Sequence, residues 1–149
     1  YLIRNNHDNA SIFIFFFIII VCIASDVGGF VFGKIIKGPK LTKVSPNKTY
    51  SGMFGAFFLV IIITYYLTIN SNLLTDTIID YDLKFFIISL VLSAVSQSGD
   101  IMISYFKRQV KIKDTGKLIP GHGGILDRID GMIFAFPFYY FFNLFYKFI

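Results

Sequence analysis

The sequence predicts an all-α fold: a polytopic integral membrane bundle of about four transmembrane helices, with chemistry-bearing loops on the cytoplasmic side. Three observations lead there. The chain is 55% hydrophobic and 19% aromatic, and its mean hydropathy is +0.67. Its apolar residues gather in four runs, at about 11–33, 51–69, 85–106 and 129–149, each close to the ~20 residues that cross ~30 Å of hydrocarbon. Its charges fall almost entirely between those runs. The 149 residues therefore read as one membrane-embedded portion, and a soluble domain is excluded.

The first run is preceded by no Lys/Arg-rich segment and followed by no small-residue cleavage site, which argues against a removable signal peptide. Because the chain starts at Tyr1, an incomplete N-terminus is expected. Cys22 is the single cysteine, with no partner for a disulfide or a paired-cysteine metal site. The connector after this run carries Lys34, Lys37, Lys40, Lys43 and Lys48, broken by Gly38, Pro39 and Pro46. The second run leads to a stretch at 70–84 that holds Asp76, Asp80 and Asp82 against Lys84. The third ends in a connector with Lys107, Arg108, Lys111, Lys113, Lys117 and Arg128, broken by Pro120, Gly121, Gly123 and Gly124. The fourth contains Pro137, expected to kink its helix. Short basic loops stay inside, so both basic connectors belong on one cytoplasmic face. That is the face with access to nucleotides. The expected location is a bacterial inner membrane; the lipid bilayer is an expected partner and nucleic acid is not.

Polar residues inside the runs mark candidate chemistry. Ser93, Ser96, Asp100, Ser104 and Lys107 recur at three- and four-residue spacings, which places them within roughly an 80° sector of one helix. Asp100 lies about 10 Å into its segment at ~1.5 Å per residue, where an ionised carboxylate needs a partner or a metal. The bland alternative is a helix-packing stripe with a hydrogen-bonded Asp. Asp26 shares a helical face with Gly29 and Gly33, and small residues there let another helix approach closely. Asp26 also fits a simple helix terminus. Asp127 and Asp130, three residues apart at the start of the last run, suit oxygen ligation of one or two hard cations; they also suit N-capping and the helix dipole. In the second basic loop, Gly123 and Gly124 allow close backbone approach to phosphates, while the cations neutralise charge. His122 there reads equally as a phosphate contact or as a structural loop histidine.

Taken continuously, Ser104-x-Phe106-Lys107-Arg108, then Lys113-Asp114-x-Gly116, then Ile119-Pro120-x-His122-Gly123-Gly124-Ile125-x-Asp127-Arg128-Ile129-Asp130 resembles the signature of the phosphatidate cytidylyltransferase (CDP-diacylglycerol synthase) family. Ser25-Asp26-x-x-Gly29-x-x-x-Gly33-Lys34 and Val44-Ser45-Pro46-x-Lys48-Thr49 resemble two other stretches of that family, in the right order. The resemblance spans roughly residues 22–137. It implies a multi-pass enzyme that takes CTP and phosphatidic acid, uses Mg²⁺ with or without a second cation, and forms CDP-diacylglycerol and pyrophosphate. By resemblance, Asp100, Asp127 and Asp130 are expected to hold metal, and Lys107 and Arg108 to act beside them on phosphates. Asp26, Lys48, Lys113, Asp114, His122, Gly123, Gly124 and Arg128 are expected to contact substrate. The chain departs from the family at Ile103, where an acidic residue is usual, and at Tyr50 and Ser51, where Trp and Glu or Gln are usual. The family's N-terminal membrane helices are expected to be missing. Alternatives are a related transferase acting on another lipid or isoprenoid acceptor, an inactive fragment, and a transporter segment; a homodimer is left open.

Overall fold

A computed structural model describes residues 9–42, 45, 48–70, 83–112, 115–116 and 126–148, with side chains except at 9–11, 126–128 and 146–148. These residues form four helices: α1 (Asn9–Ile36), α2 (Tyr50–Ile69), α3 (Leu83–Gln109) and α4 (Leu126–Phe148). Among the described residues there is no strand, and the one β-type pairing is an isolated antiparallel bridge between Lys40 and Thr49. The helices are longer than the apolar runs at several ends. Lys34, Lys107 and Arg108 are good helix formers, so the backbone continues as helix past the point where the side chains turn polar.

Each described helix end has a local cause. Lys37 takes a left-handed conformation (φ 49°) and donates its N–H to the Gly33 carbonyl at 3.2 Å, an αL stop, and Pro39 follows. Thr49 caps α2, its hydroxyl accepting the Gly52 N–H at 3.1 Å. At the end of α3, Lys111 (φ 57°) donates to Arg108 O and Ile112 donates to Lys107 O, which is a Schellman stop. Pro137 stands within α4, so the Ile133 carbonyl loses its usual donor there.

Among the described residues, three helices are long and apolar enough to cross a membrane, over Ile12–Ile36, Tyr50–Ile69 and Leu83–Gln109. The apolar stretch of α4, Ile129–Phe145, is shorter. The chain is an integral membrane protein, and its surface agrees. Phe30, Phe54, Phe58, Tyr66, Leu83 and Phe145 all stay exposed, which suits lipid contact and would be an aggregation hazard in water.

Helix α1 packs against the other three, α2 and α3 pack together, and α4 closes on α3. Phe13, Phe17, Ile18, Val21, Val60, Leu92 and Ala135 form the buried core, with Phe17 stacked on Phe85 at 4.5 Å between ring centres. Where lipid tails are as apolar as the helices, close backbone contact drives association. Glycines supply it here. A Cβ on Gly28 would lie 2.8 Å from both Ala56 Cα and Gly55 O, and one on Gly55 would strike the Phe32 side chain. The α3–α4 seam repeats the device, since a Cβ on Gly131 would meet Ser96 Oγ at 2.4 Å. Chain direction then brings the end of α1, the start of α2, the end of α3 and the start of α4 to one end of the bundle.

Gly28→Ala is expected to destabilise the protein by about 1–3 kcal/mol through overpacking. Gly29→Ala, whose added carbon comes only within 3.8 Å of Gly52 O, should be neutral or slightly stabilising. Thermal unfolding in detergent checks the pair, and equal effects would refute a Gly28-centred contact.

Candidate active site

That shared end holds a cavity of about 330 Å³. Helix α1 contributes Ser25, Asp26, Gly29 and Phe30; the connector contributes Leu41, Ser45 and Lys48; Thr49, Gly52 and Met53 come from the start of α2. Gln97 and Asp100 from α3 and Asp130 from α4 complete it. Polar and apolar groups thus share one opening.

The connector is built to present Lys48. Leu41 N–H donates to Lys48 O at 2.7 Å, Tyr50 N–H donates to Pro39 O at 3.1 Å, and Lys48 N–H closes a turn onto Ser45 O at 3.1 Å. These bonds pin the backbone beside the Thr49 cap and leave the side chain directed at α3. There the Lys48 ammonium forms an ion pair with Asp100 and donates to the Gln97 carbonyl at 3.3 Å. One loop residue therefore bridges to a helix 49 positions on.

Asp130 is buried, 7% exposed. Its carboxylate sits 3.7 Å from Lys107 Nζ and within hydrogen-bonding reach of Asp100, and one of its oxygens accepts the Gly131 N–H at 3.0 Å. Asp26 stands on the open side of the cavity, exposed, in electrostatic range of both Asp100 and Lys48. Three carboxylates thus face two ammonium groups across three helices and a loop. Beneath them lies a buried hydroxyl layer, in which the Ser25 and Ser93 hydroxyls bond at 2.9 Å and the Gln97 amide donates to Ser93 at 3.2 Å.

The structure brings together Asp26, Lys48, Asp100, Lys107 and Asp130 among the predicted site residues. Arg108 is exposed on the last turn of α3 and does not line the cavity. Asp127 and Arg128 lie on the first turn of α4 with their side chains outside the described set, and Lys113, Asp114, His122, Gly123 and Gly124 are outside the described residues altogether. The polar stripe of α3 does face inward, with Ser93 and Ser96 fully buried. Sequence reasoning missed Gln97 and Ser89. Ser89 was readable, because it precedes Ser93 by four positions on the same stripe; Gln97 lines the cavity from beside that stripe.

Among the described residues, no group of three or more His, Cys, Asp or Glu forms a metal-holding cluster. The Asp100–Asp130 pair is nonetheless a hard-oxygen donor set of a fitting kind, since Mg²⁺ is commonly held by one or two carboxylates together with substrate phosphates.

Fold and cavity together define a polytopic membrane protein with an ionic site at one end of its bundle. The sequence profile of the cytidylyltransferase family matches residues 1–146, and the chain belongs to that family. It is similar to proteins named phosphatidate cytidylyltransferase. The protein from Rickettsia typhi is 38% identical over 127 residues, covering 80% of this chain and 54% of the relative. That from Rickettsia bellii is 40% identical over 120 residues, covering 79% and 52%. That from Staphylococcus aureus strain COL is 38% identical over 117 residues, covering 76% and 42%. The chain spans about half the length of these curated relatives.

Facing carboxylates repel when both are charged, and they outnumber the ammonium groups beside them. Asp130→Asn removes one negative charge while keeping the oxygen that accepts from Gly131, so its melting temperature in detergent should equal or exceed that of the unmodified protein. A fall of more than a few degrees would mean that the carboxylate is needed for folding.

Proposed function

We propose that this chain is the catalytic portion of a CTP:phosphatidate cytidylyltransferase that forms CDP-diacylglycerol and pyrophosphate. The observation that carries this reading is the convergence of Asp100 and Asp130, each paired with a lysine, in one cavity at the end of the bundle where both basic connectors emerge. The family membership and the names of the relatives support the same substrates. Both connectors are read as cytoplasmic, in what would be the bacterial inner membrane.

In this reaction a phosphate oxygen of phosphatidate attacks the α-phosphorus of CTP. A new P–O bond forms there as the bond to the pyrophosphate oxygen breaks, and pyrophosphate leaves with that electron pair. The nucleophile is already ionised, so the protein has no proton to remove, and positioning and charge neutralisation carry the catalysis. Lys48, which lines the cavity, would meet phosphate oxygens; Lys107, paired with Asp130, and Arg108, exposed on the last turn of α3, would add positive charge beside it. Asp100 and Asp130, with Asp127 beside them in sequence, would hold Mg²⁺, which supplies neutralisation of charge developing on the phosphates when bound. Phe30, Leu41 and Met53 are apolar residues of the lining, which suits a substrate whose phosphate would enter among the polar groups while its acyl chains stay in lipid. The buried hydroxyl layer keeps Asp100 and Gln97 in register with α1.

Transfer of labelled CTP to phosphatidate by the full chain in membranes tests the reading, with other lipid phosphates and isoprenoid alcohols as competing acceptors. Asp100→Asn and Asp130→Asn are each expected to lower product formation at least ~100-fold. Lys111→Ala, an exposed change at the stop of α3, should leave it unchanged. Near-full activity of Asp130→Asn at normal protein level, or preference for another acceptor, would overturn it.

A further inference from the structure

Lys48 occupies the carboxylate that the proposed reaction needs for a cation, and it does so from a loop. The two lysine–carboxylate pairs at the site differ in kind. Lys107 and Asp130 join two packed helices, with side chains only 13% and 9% exposed. Lys48 and Asp100 are both 25% exposed and line the open cavity, and the Lys48 backbone is anchored while its ammonium reaches Asp100 across the cavity at the end of a four-carbon stem. An ammonium on a flexible stem keeps its donors as it moves from one oxygen to another. The Gln97 carbonyl, its second acceptor, is uncharged and holds it weakly.

We propose that Lys48 is a tethered counter-ion: it holds the place of a divalent cation at Asp100 in the free protein, and is displaced toward ligand phosphates when the cation binds. This rests on the reading of Asp100 and Asp130 as cation ligands. With three carboxylates near one another, Asp26, Asp100 and Asp130, an empty site is left strongly negative unless a cation stands in it. Lys48 supplies one positive charge from the protein itself. A divalent ion arriving at Asp100 both competes with the ammonium and repels it, and incoming phosphates attract it. Cation and phosphate binding are thereby coupled, each favouring the other through the same lysine. A fixed structural salt bridge would instead hold Asp100 in place, and its loss would weaken cation binding.

The two cases give opposite signs. With Mn²⁺ as probe, free-ion EPR on the detergent-solubilised full chain without nucleotide should show affinity raised about tenfold in Lys48→Met. Lys48→Arg should stay close to the unmodified protein, and Asp100→Asn should lose binding. Unchanged or weaker affinity in Lys48→Met overturns the proposal, as does an absence of Mn²⁺ binding in every form. A measurement on the unmodified protein keeps the test independent of how the variants fold: acylation of the Lys48 amine, read by mass spectrometry, should rise several-fold on adding Mn²⁺. No rise would overturn it. Neither readout needs turnover, so failure of the cytidylyltransferase assay and failure of the displacement are told apart.

Discussion

A carboxylate inside an apolar bundle has to be neutralised where it stands, and that requirement organises this protein. Asp100 and Asp130 lie on adjacent helices within hydrogen-bonding reach of each other, and each is paired with an ammonium group, Lys48 on Asp100 and Lys107 on Asp130. Lys107 comes from the same helix as Asp100, but Lys48 comes from the connector between α1 and α2. The position of the connector is thus tied to α3, and the α1–α2 pair is locked to the α3–α4 pair at the end where the cavity opens. The rest of the fold serves that meeting. Glycines bring α1 and α2 into backbone contact, Gly131 lets α4 settle onto α3, and the αL and Schellman stops release the chain at the height where its loops must turn.

The same arrangement separates what is structural from what is chemical. Ser25 and Ser93 are buried and their hydroxyls bond across α1 and α3, with half-buried Gln97 donating to Ser93 from one turn along α3, so the layer gains from packing; an interhelical bond such as Ser25–Ser93 contributes ~0.6 kcal/mol on average. The carboxylates above it gain nothing of the kind. Their mutual proximity opposes stability, and the bundle retains them in an open, partly apolar cavity. A group that costs stability at a concave site, among side chains suited to cations and phosphates, supports the proposed chemistry over a packing role.

Much of this was legible in the sequence. The apolar runs announced the helices because only a helix satisfies its own backbone in hydrocarbon, and the inward stripe of α3 was readable because Ser93, Ser96 and Asp100 stand out against an apolar background at helical spacing. The partners of that stripe were not readable. That Lys48 reaches Asp100 depends on how the connector folds back through Leu41 and Tyr50, which no local periodicity encodes. Gly29 and Gly33 were recognisable as a small-residue face, yet among the glycines of α1 the closest approach falls at Gly28, because the crossing of α1 over α2 is set by both helices at once. Helix ends drifted outward for a plainer reason: Lys and Arg favour helix as much as Leu does, so hydropathy marks the edge of the hydrocarbon and not the last helical turn.

Anomalous diffraction from crystals of the full chain soaked in Mn²⁺ tests the central claim most directly. The account predicts a peak between the carboxylates of Asp100 and Asp130, with the Lys48 side chain turned away from Asp100. A strong peak elsewhere, with the Lys48–Asp100 ion pair intact, would contradict it.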